Sequence, residues 1–481
     1  MKVNKYIFVI TAALAVGLVS CKKSFLNETP PTAVPVNQAI VTSNDMADAV
    51  NGMYVAAKSS SLYGRDIPIL GDELADNIYV STSNSGRYLT ENNYSFVSTT
   101  GEPADIYSQG YYTILQANRI IAANVPASSD VSQLKGEAYI MRALTNLMMV
   151  NFFGPAYSVS ATAPGISIIT LPSSITGPFI TPARTTVGAA YNQIISDLDS
   201  AYLIMPAAGT SLHATSSEFL TKYAAKAIES RAYLYKGDYA NAITAAQLVV
   251  QNGGYTLAGT QAAFNTYWAN PAAITNKQET IFELANTSTS NNGTNGLDAM
   301  YWQSNAYGDM LATDDLYNLY TATDWRRALI LNGTRAGNQA YICNKYQNYS
   351  NTADKDDIKI IRYAEVLLTL AEAYAQTGDN VNGQLYLNQV AKNRDPSFAG
   401  YLDLGANLVT DVLNERRKEL AFEGLRWFDL KRLNLVINRP QEGTKSYPSY
   451  PTVSLTDFRR LLPVPNAELV ANPAISQNPG Y

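Results

Sequence analysis

Residues 414–432 hold the densest set of groups able to do chemistry. Glu415, Glu419 and Glu423 recur every fourth residue, so on a helix their carboxyls share one face. Arg416, Arg417, Arg426 and Arg432 are interleaved with them, and Asp429 follows. Carboxyls spaced this way can serve as general acid and base only where a cleft exposes them and separates their pKa values. The arginines favour another use: an ion-pair network fixing how the last helices dock, with Glu423–Arg426 and Arg426–Asp429 at the three-residue spacing of helix neighbours. These residues are assigned to architecture. His213 is the only histidine, which argues against a His-based metal site and against a Ser-His-Asp triad. The chain has no phosphate loop, no dinucleotide fingerprint and no Cys-pair metal spacing. Asp354-Lys355-Asp356-Asp357 is read as a solvated charge cluster rather than part of a calcium site. The expectation is therefore a chain with no catalytic residues, no cofactor and no bound metal.

Cys21 is the one side chain whose surroundings dictate a covalent fate. Lys2 and Lys5 precede an uncharged run of fourteen residues, Tyr6 to Val19, too short for a membrane span of about 20 residues but suited to a signal peptide. The run ends in Leu18-Val19-Ser20-Cys21, which resembles the lipobox of bacterial lipoproteins, where the thiol is diacylated and the chain cut just before it. Residues 1–20 are expected to be a lipoprotein signal peptide, and Cys21 the point of lipid attachment; two acyl chains anchor stably where one is marginal. Residues 21–36, with Pro30, Pro31 and Pro35, read as an extended spacer on the lipid anchor. Cys343, the only other cysteine, then has no partner and reads as a buried or inert thiol. Loss of Lys2 and Lys5 with the leader takes the formal charge from −5 to −7, which speaks against nucleic acid as a partner.

These groups must be positioned by helices. Periodicity and caps predict helices over Asn44–Lys58, Ile106–Asn124, Val131–Phe153 and Thr185–Met205, with Asn44 or Asp45 capping the first and Gly154-Pro155 halting the third. Two later stretches repeat Ala-Tyr-x-x-x-Gly-Asp, at Ala232–Asp238 and Ala373–Asp379, each followed by a second amphipathic helix. Ala permits close helix approach, Gly turns the chain and Asp caps the next helix, as in tetratricopeptide repeats. The copies lie about 140 residues apart, so they are helix pairs in a larger fold and not a tandem array. Ser81–Gly101, Pro155–Ala183, Gly253–Ala306 and Gly333–Asp357 read as long irregular insertions, with a strand-like piece at Thr280–Leu284. Most of the 33 tyrosines are expected at helix boundaries with wet hydroxyls. The fold class is mainly α: tetratricopeptide-like helix pairs in one large body, residues 37–481, with long loops and a few short strands. Its two halves would meet near residues 270 and 271.

Several blocks then match a known family. Gly71-Asp72-Glu73-Leu74-Ala75-Asp76-Asn77, Gln116-Ala117-Asn118-Arg119 and Gly136–Ala143 stand in the first half. Ile361–Leu368, Asn414–Arg432, Leu461-Leu462-Pro463-Val464-Pro465 and Asn478-Pro479-Gly480-Tyr481 stand in the second. Together they resemble the SusD/RagB family of outer-membrane nutrient-binding lipoproteins over nearly the whole mature chain. The resemblance implies a non-catalytic cell-surface protein that captures a glycan or oligosaccharide. It would pass the ligand to a TonB-dependent, SusC-like transporter in the outer membrane, held there by its lipid anchor and facing the exterior. A peptide-binding member of the same family, a surface glycan hydrolase and a protein scaffold are the alternatives.

A sugar binder needs flat aromatic platforms beside amide or guanidinium hydrogen-bond partners. Two of the insertions supply both. The expected ligand residues are Trp302 and Tyr301 in one, and Tyr88 and Tyr94 with Arg87 and Asn92 in the other. Trp427, inside the ion-pair block, and Trp325, in Asp324-Trp325-Arg326, are read as packing residues instead.

Overall fold

A computed structural model describes residues 39–173, 179–269, 272 and 278–481. The expected signal peptide, Cys21 and the spacer fall outside the described residues. Helix α1 (Ser43–Ala57) opens with a capping box: the Thr42 hydroxyl accepts from Asp45 N and the Asp45 carboxylate accepts from Thr42 N at 2.8 Å, so Thr42, not Asn44 or Asp45, is the cap. The chain continues through α2 (Asp66–Glu73), β1 (Ile78–Val80), α3 (Leu89–Asn92), α4 (Gly101–Ala122), α5 (Ser129–Phe153), α6 (Val187–Ile204), α7 (Lys222–Lys236), α8 (Tyr239–Asn252) and α9 (Gln261–Ala269). Then come β2 (Thr280–Leu284), α10 (Leu297–Tyr301), β3 (Met310–Ala312), α11 (Asp314–Asn318), β4 (Ile330–Arg335), β5 (Asn338–Cys343) and β6 (Ile358–Arg362). The last elements are α12 (Tyr363–Gln376), α13 (Asn380–Arg394), α14 (Gly405–Leu420), α15 (Arg426–Arg432), β7 (Ile437–Asn438), β8 (Thr452–Val453) and α16 (Asn466–Ala471).

Successive helices pack side by side from α4 through α8, and α12 continues the layer against α8, with α13 and α14 on its other side. The two Ala-Tyr-x-x-x-Gly-Asp copies form the α7–α8 and α12–α13 pairs. Their turns require left-handed backbone, and Gly237 (φ 78°) and Gly378 (φ 86°) supply it. Asp238 and Asp379 then cap the second helices, accepting from Asn241 N and Asn382 N. Buried Ala224, Ala227, Ala242, Ala246, Ala371 and Ala373 allow the close approach. Helix α5 is buried on nearly every side and forms the axis of the first half. One hydrophobic core runs from Met46 to Ile475, so the two halves share it.

The insertions are more ordered than expected. Gly253–Ala306 contains α9 and α10, Ser81–Gly101 contains α3, and Gly333–Asp357 contains β5. Strands β1-β3-β5-β4 form an antiparallel sheet, with Ile78 opposite Ala312 and Arg335 opposite Asn338 across a tight hairpin. β2 pairs with β6, and β7 with β8. Many tyrosines are interior rather than at wet boundaries, among them Tyr63, Tyr191, Tyr235, Tyr320 and Tyr346. Asp356 and Asp357 are likewise buried, contrary to the solvated cluster expected. Asp357 accepts from Asn286 N at 2.7 Å and Asp356 from Asn348 N at 2.6 Å, which pins two loops together.

Residues 415–432 build the docking network. Glu419, 2 % exposed, accepts from Arg326 Nη1 (3.1 Å), Arg362 Nη1 (2.7 Å) and Arg394 Nη2 (3.0 Å). Those guanidiniums hold its carboxyl well below the usual range, overcoming burial. Glu423 pairs with Arg362 and Lys345, and Glu415 with Arg326 and Lys418. Asp429, paired with Arg416 and Arg432, is pulled down to about 2 against the opposing effect of its burial. The expected Glu423–Arg426 and Arg426–Asp429 pairs do not form. Phe422 (φ 67°) and Gly424 (φ 75°) break the helix between α14 and α15, and Arg426 turns instead to Asp76, at 2.7 and 2.8 Å. Arg417 joins it on Asp76 O (2.6 Å) and Asn77 Oδ1 (2.9 Å). Asp76 and Asn77 lead directly into β1, so the C-terminal helices fix the strand from which the first aromatic-bearing loop departs.

Candidate functional site

Of the six residues expected to contact a ligand, four are interior. The backbone turns left-handed at Tyr88 (φ 59°) and Tyr94 (φ 52°), on either side of α3, and both rings end in the core. Tyr88 donates to Asp66 Oδ1 at 2.5 Å, and Tyr94 donates to the Leu74 carbonyl. Asn92 donates to Pro448 O (2.9 Å) and accepts from Arg439 Nη2 (3.0 Å). Tyr301 is fully buried; its ring stacks on Tyr346 (5.9 Å, 14°) and meets Phe422 edge-on (5.6 Å, 78°). None of the three tyrosines has a face on which a sugar could stack, so the expectation for Tyr88, Tyr94, Tyr301 and Asn92 is corrected. They are packing and hydrogen-bonding residues. An aromatic side chain in a polar loop loses more by exposure than its neighbours do, and here the core lay within reach.

Arg87 and Trp302 do reach the surface, and the structure joins their two segments. The Arg87 guanidinium lies 3.9 Å over the ring of Tyr307, with Nη2 3.4 Å from Asn295 Oδ1 and Nη1 3.4 Å from Ser85 Oγ. Trp302 follows α10 and is half-buried; its indole N–H points inward and meets no acceptor among the described residues. Residues 302–308 fold back on α10, since Tyr307 N and Gly308 N both donate to Ala299 O at 3.1 Å. Arg335, at the end of β4, staples the segments. Its Nη2 donates to Ser83 O and Tyr307 O, both at 2.7 Å, and its Nη1 to Gln303 Oε1 at 3.3 Å. Asp309 closes the base: it is buried, accepts from Ser85 N (3.1 Å) and the Ser85 hydroxyl, and lies 3.9 Å from Arg335. Ser304 and Asn305 are exposed at the tip.

This surface therefore combines a half-buried indole, a tyrosine ring beneath a guanidinium, and exposed amides at Asn295 and Asn305, while the Gln303 amide is taken up by Tyr301 O, Gly308 O and Arg335. Tyr307 and Arg335 were missed from sequence. Tyr307 stands one residue beyond the insertion that holds Trp302, and the one hairpin dipeptide near Arg335, Asn332-Gly333, falls inside β4, so the sequence carried no signal that would place Arg335 at a strand end. His213 lies elsewhere, buried with Nδ1 2.9 Å from Glu137 and its ring stacked on Phe219 (3.9 Å). Cys343 is buried and free, its thiol pushed up to about 12 by burial, as an inert thiol should be. Trp427 and Trp325 are packing residues as expected, Trp427 stacking on Phe152 at 5.5 Å.

A concavity of about 720 Å³ lies between α4, residues 167–173 and 179–182, and α16, lined by Tyr111, Tyr112, Leu115, Phe179 and Glu468. Its amides are committed: Asn118 donates to Ile169 O and Leu171 O, and Asn472 to Pro182 O. The open surface around Arg87 and Trp302 has the polar groups that recognition of hydroxyls requires, and it is the candidate site.

Comparison with known proteins supplies the family. Residues 321–481 match the model described as the SusD family, and residues 24–234 match one described as starch-binding associating with outer membrane. The chain is 26 % identical to SusD-like protein P2 of Formosa agariphila, over 100 % of both chains. A putative sugar binding protein of Bacteroides vulgatus superposes with a TM-score of 0.81 at 29 % identity, over 92 % of this chain and 99 % of the other. A SusD superfamily protein of the same organism superposes at 0.83 with 26 % identity, over 92 % and 100 %. Among the described residues no helix is long and apolar enough to cross a membrane.

Proposed function

The chain belongs to the SusD/RagB family, and on that premise we propose that it is a non-catalytic, cell-surface binding protein that captures a glycan on the Arg87–Trp302 surface. The observation that carries this reading is that the folded-back segment 302–308 presents the half-buried Trp302 and the Arg87-capped Tyr307, beside the exposed amides of Asn295 and Asn305. Sugar rings offer an apolar face edged with hydroxyls, and that combination complements them. Binding without hydrolysis is supported by the state of the carboxyls best spaced for acid–base work. Glu415, Glu419 and Glu423 are each engaged by arginine or lysine, and the burial of Glu415 and Glu419 leaves no cleft around them.

The mature chain, on this reading, is tethered to the outer membrane through lipid on Cys21, faces the exterior, and delivers its ligand to a SusC-like TonB-dependent transporter. The Leu18–Cys21 motif and the family resemblance support the anchor and the partner. Calorimetric titration of the soluble 22–481 fragment against a glycan panel tests the site. Trp302→Ala and Tyr307→Ala should each weaken binding of the best ligand by about 1–3 kcal/mol, by analogy with base stacking on aromatic platforms. Unchanged affinity in both variants would place the site elsewhere.

A further inference from the structure

Arg87 and Arg335 meet the same surface in opposite states. Arg335 is saturated: Ser83 O, Tyr307 O and Gln303 Oε1 take its N–H groups, and Asp309 lies 3.9 Å away. Arg87 has none of this. Its contacts are the Tyr307 ring face and two polar atoms at the long distance of 3.4 Å, and among the described residues no carboxylate comes within 4.0 Å of it. A guanidinium carries five N–H donors, so most of this fork is uncommitted. Asp309 cannot neutralise it, being buried under the loop and taken up by Ser85 and Arg335. The chain as a whole is acidic, at −5, and on the surface read as the ligand site Arg87 is a partly exposed cation with no carboxylate partner among the described residues. The stack on Tyr307 also holds the fork in one plane, reducing the rotamer entropy lost when it engages a planar or tetrahedral anion.

We infer that Arg87 is a specificity residue for an anionic glycan, one bearing a uronate carboxylate or a sulfate ester that the guanidinium engages while a ring of the same chain rests on Trp302. This rests on the reading of the surface as a glycan site and narrows its ligand class. Carboxylate and sulfate share the chemistry the fork recognises.

The test is a calorimetric comparison on the 22–481 fragment of four probes. These are an oligogalacturonate, its fully methyl-esterified form, a sulfated oligogalactan and its desulfated counterpart. Wild type should bind at least one charged probe at least tenfold more tightly than its neutral partner, with an affinity that falls as salt rises. Arg87→Gln should weaken that charged probe by about 10- to 100-fold, the range of a hydrogen bond to a charged group, and leave the neutral one unchanged. Arg87→Lys, which keeps the charge but not the fork, should lie between them. Preference for the uronate or for the sulfate identifies the anion, and either supports the inference. Equal affinity for charged and neutral probes, unaltered in Arg87→Gln and Arg87→Lys but weakened by Trp302→Ala, would overturn this inference and leave the glycan site standing. Failure of all four probes to bind wild type would overturn this inference, and the glycan reading would fall with it only if the wider glycan panel also failed to bind.

Discussion

Replacing Glu419 by Gln removes one negative charge from among three buried guanidiniums while keeping the side chain's shape. Glu419 accepts from Arg326, Arg362 and Arg394 at 2.7–3.2 Å, and all four residues are at most 2 % exposed. Removing one partner from a buried ion pair typically costs about 3–5 kcal/mol, because the other charge remains desolvated and uncompensated. Here each arginine retains a second carboxylate: Arg326 has Glu415 and Asp324, Arg362 has Glu423, and Arg394 has Glu279. That places the expected loss near the lower end, about 3 kcal/mol. The amide nitrogen of Gln would also present donors to guanidinium donors, so little of the loss should be recovered by hydrogen bonding. Urea unfolding of the 22–481 fragment followed by far-ultraviolet circular dichroism measures it, with Asp199→Asn as reference. Asp199 pairs with Lys226 at 2.8 Å but is 50 % exposed, so its loss should stay within about 1 kcal/mol. A Glu419→Gln midpoint indistinguishable from that of Asp199→Asn, at equal m-value, would refute the claim that this network holds the terminal helices in place.

Glu91 is pushed up to about 8 by burial, with Glu102 beside it, from an ordinary value of 4.5. A raised carboxyl contributes stability that is complete below the unfolded value and is lost as pH climbs through the folded one. The wild-type melt should therefore fall between about pH 4.5 and 8 by on the order of a few kcal/mol, and Glu91→Gln should flatten that decline; an unchanged slope would count against the assignment. Gly237→Val and Gly378→Val should each destabilise by about 1–2 kcal/mol through left-handed strain alone, since an added Cβ at either position meets no atom within 4 Å. Thermal melts matching wild type in both would sink the turn argument. Cys21→Ser should abolish labelling of the full-length chain by a fatty-acid analogue while the body keeps its melt; label persisting on the variant would dispose of the anchor.

Helix positions were legible because they depend on information only a few residues apart. The Ala-Tyr-x-x-x-Gly-Asp copies specify helix, turn and cap from local sterics and hydrogen bonding, and the glycines at 237 and 378 take the left-handed backbone that the pattern requires. The architectural role of residues 415–432 was legible too, because so many alternating charges on one buried face must satisfy one another. Which charge meets which was not. Arg426 pairs with Asp76, 350 positions away, because Phe422 and Gly424 break the helix that sequence spacing had continued through Glu423. The ligand surface followed the same rule. That an aromatic lies in a polar insertion says nothing about whether its ring faces solvent or core. Tyr88, Tyr94 and Tyr301 turned inward because core volume and hydrogen-bond acceptors, Asp66 and the Leu74 carbonyl among them, came within reach only on folding. Local pattern determined the elements and their ends. The side of each loop that meets water was decided by tertiary packing, where burial of an aromatic ring outweighs any preference encoded by its neighbours in sequence.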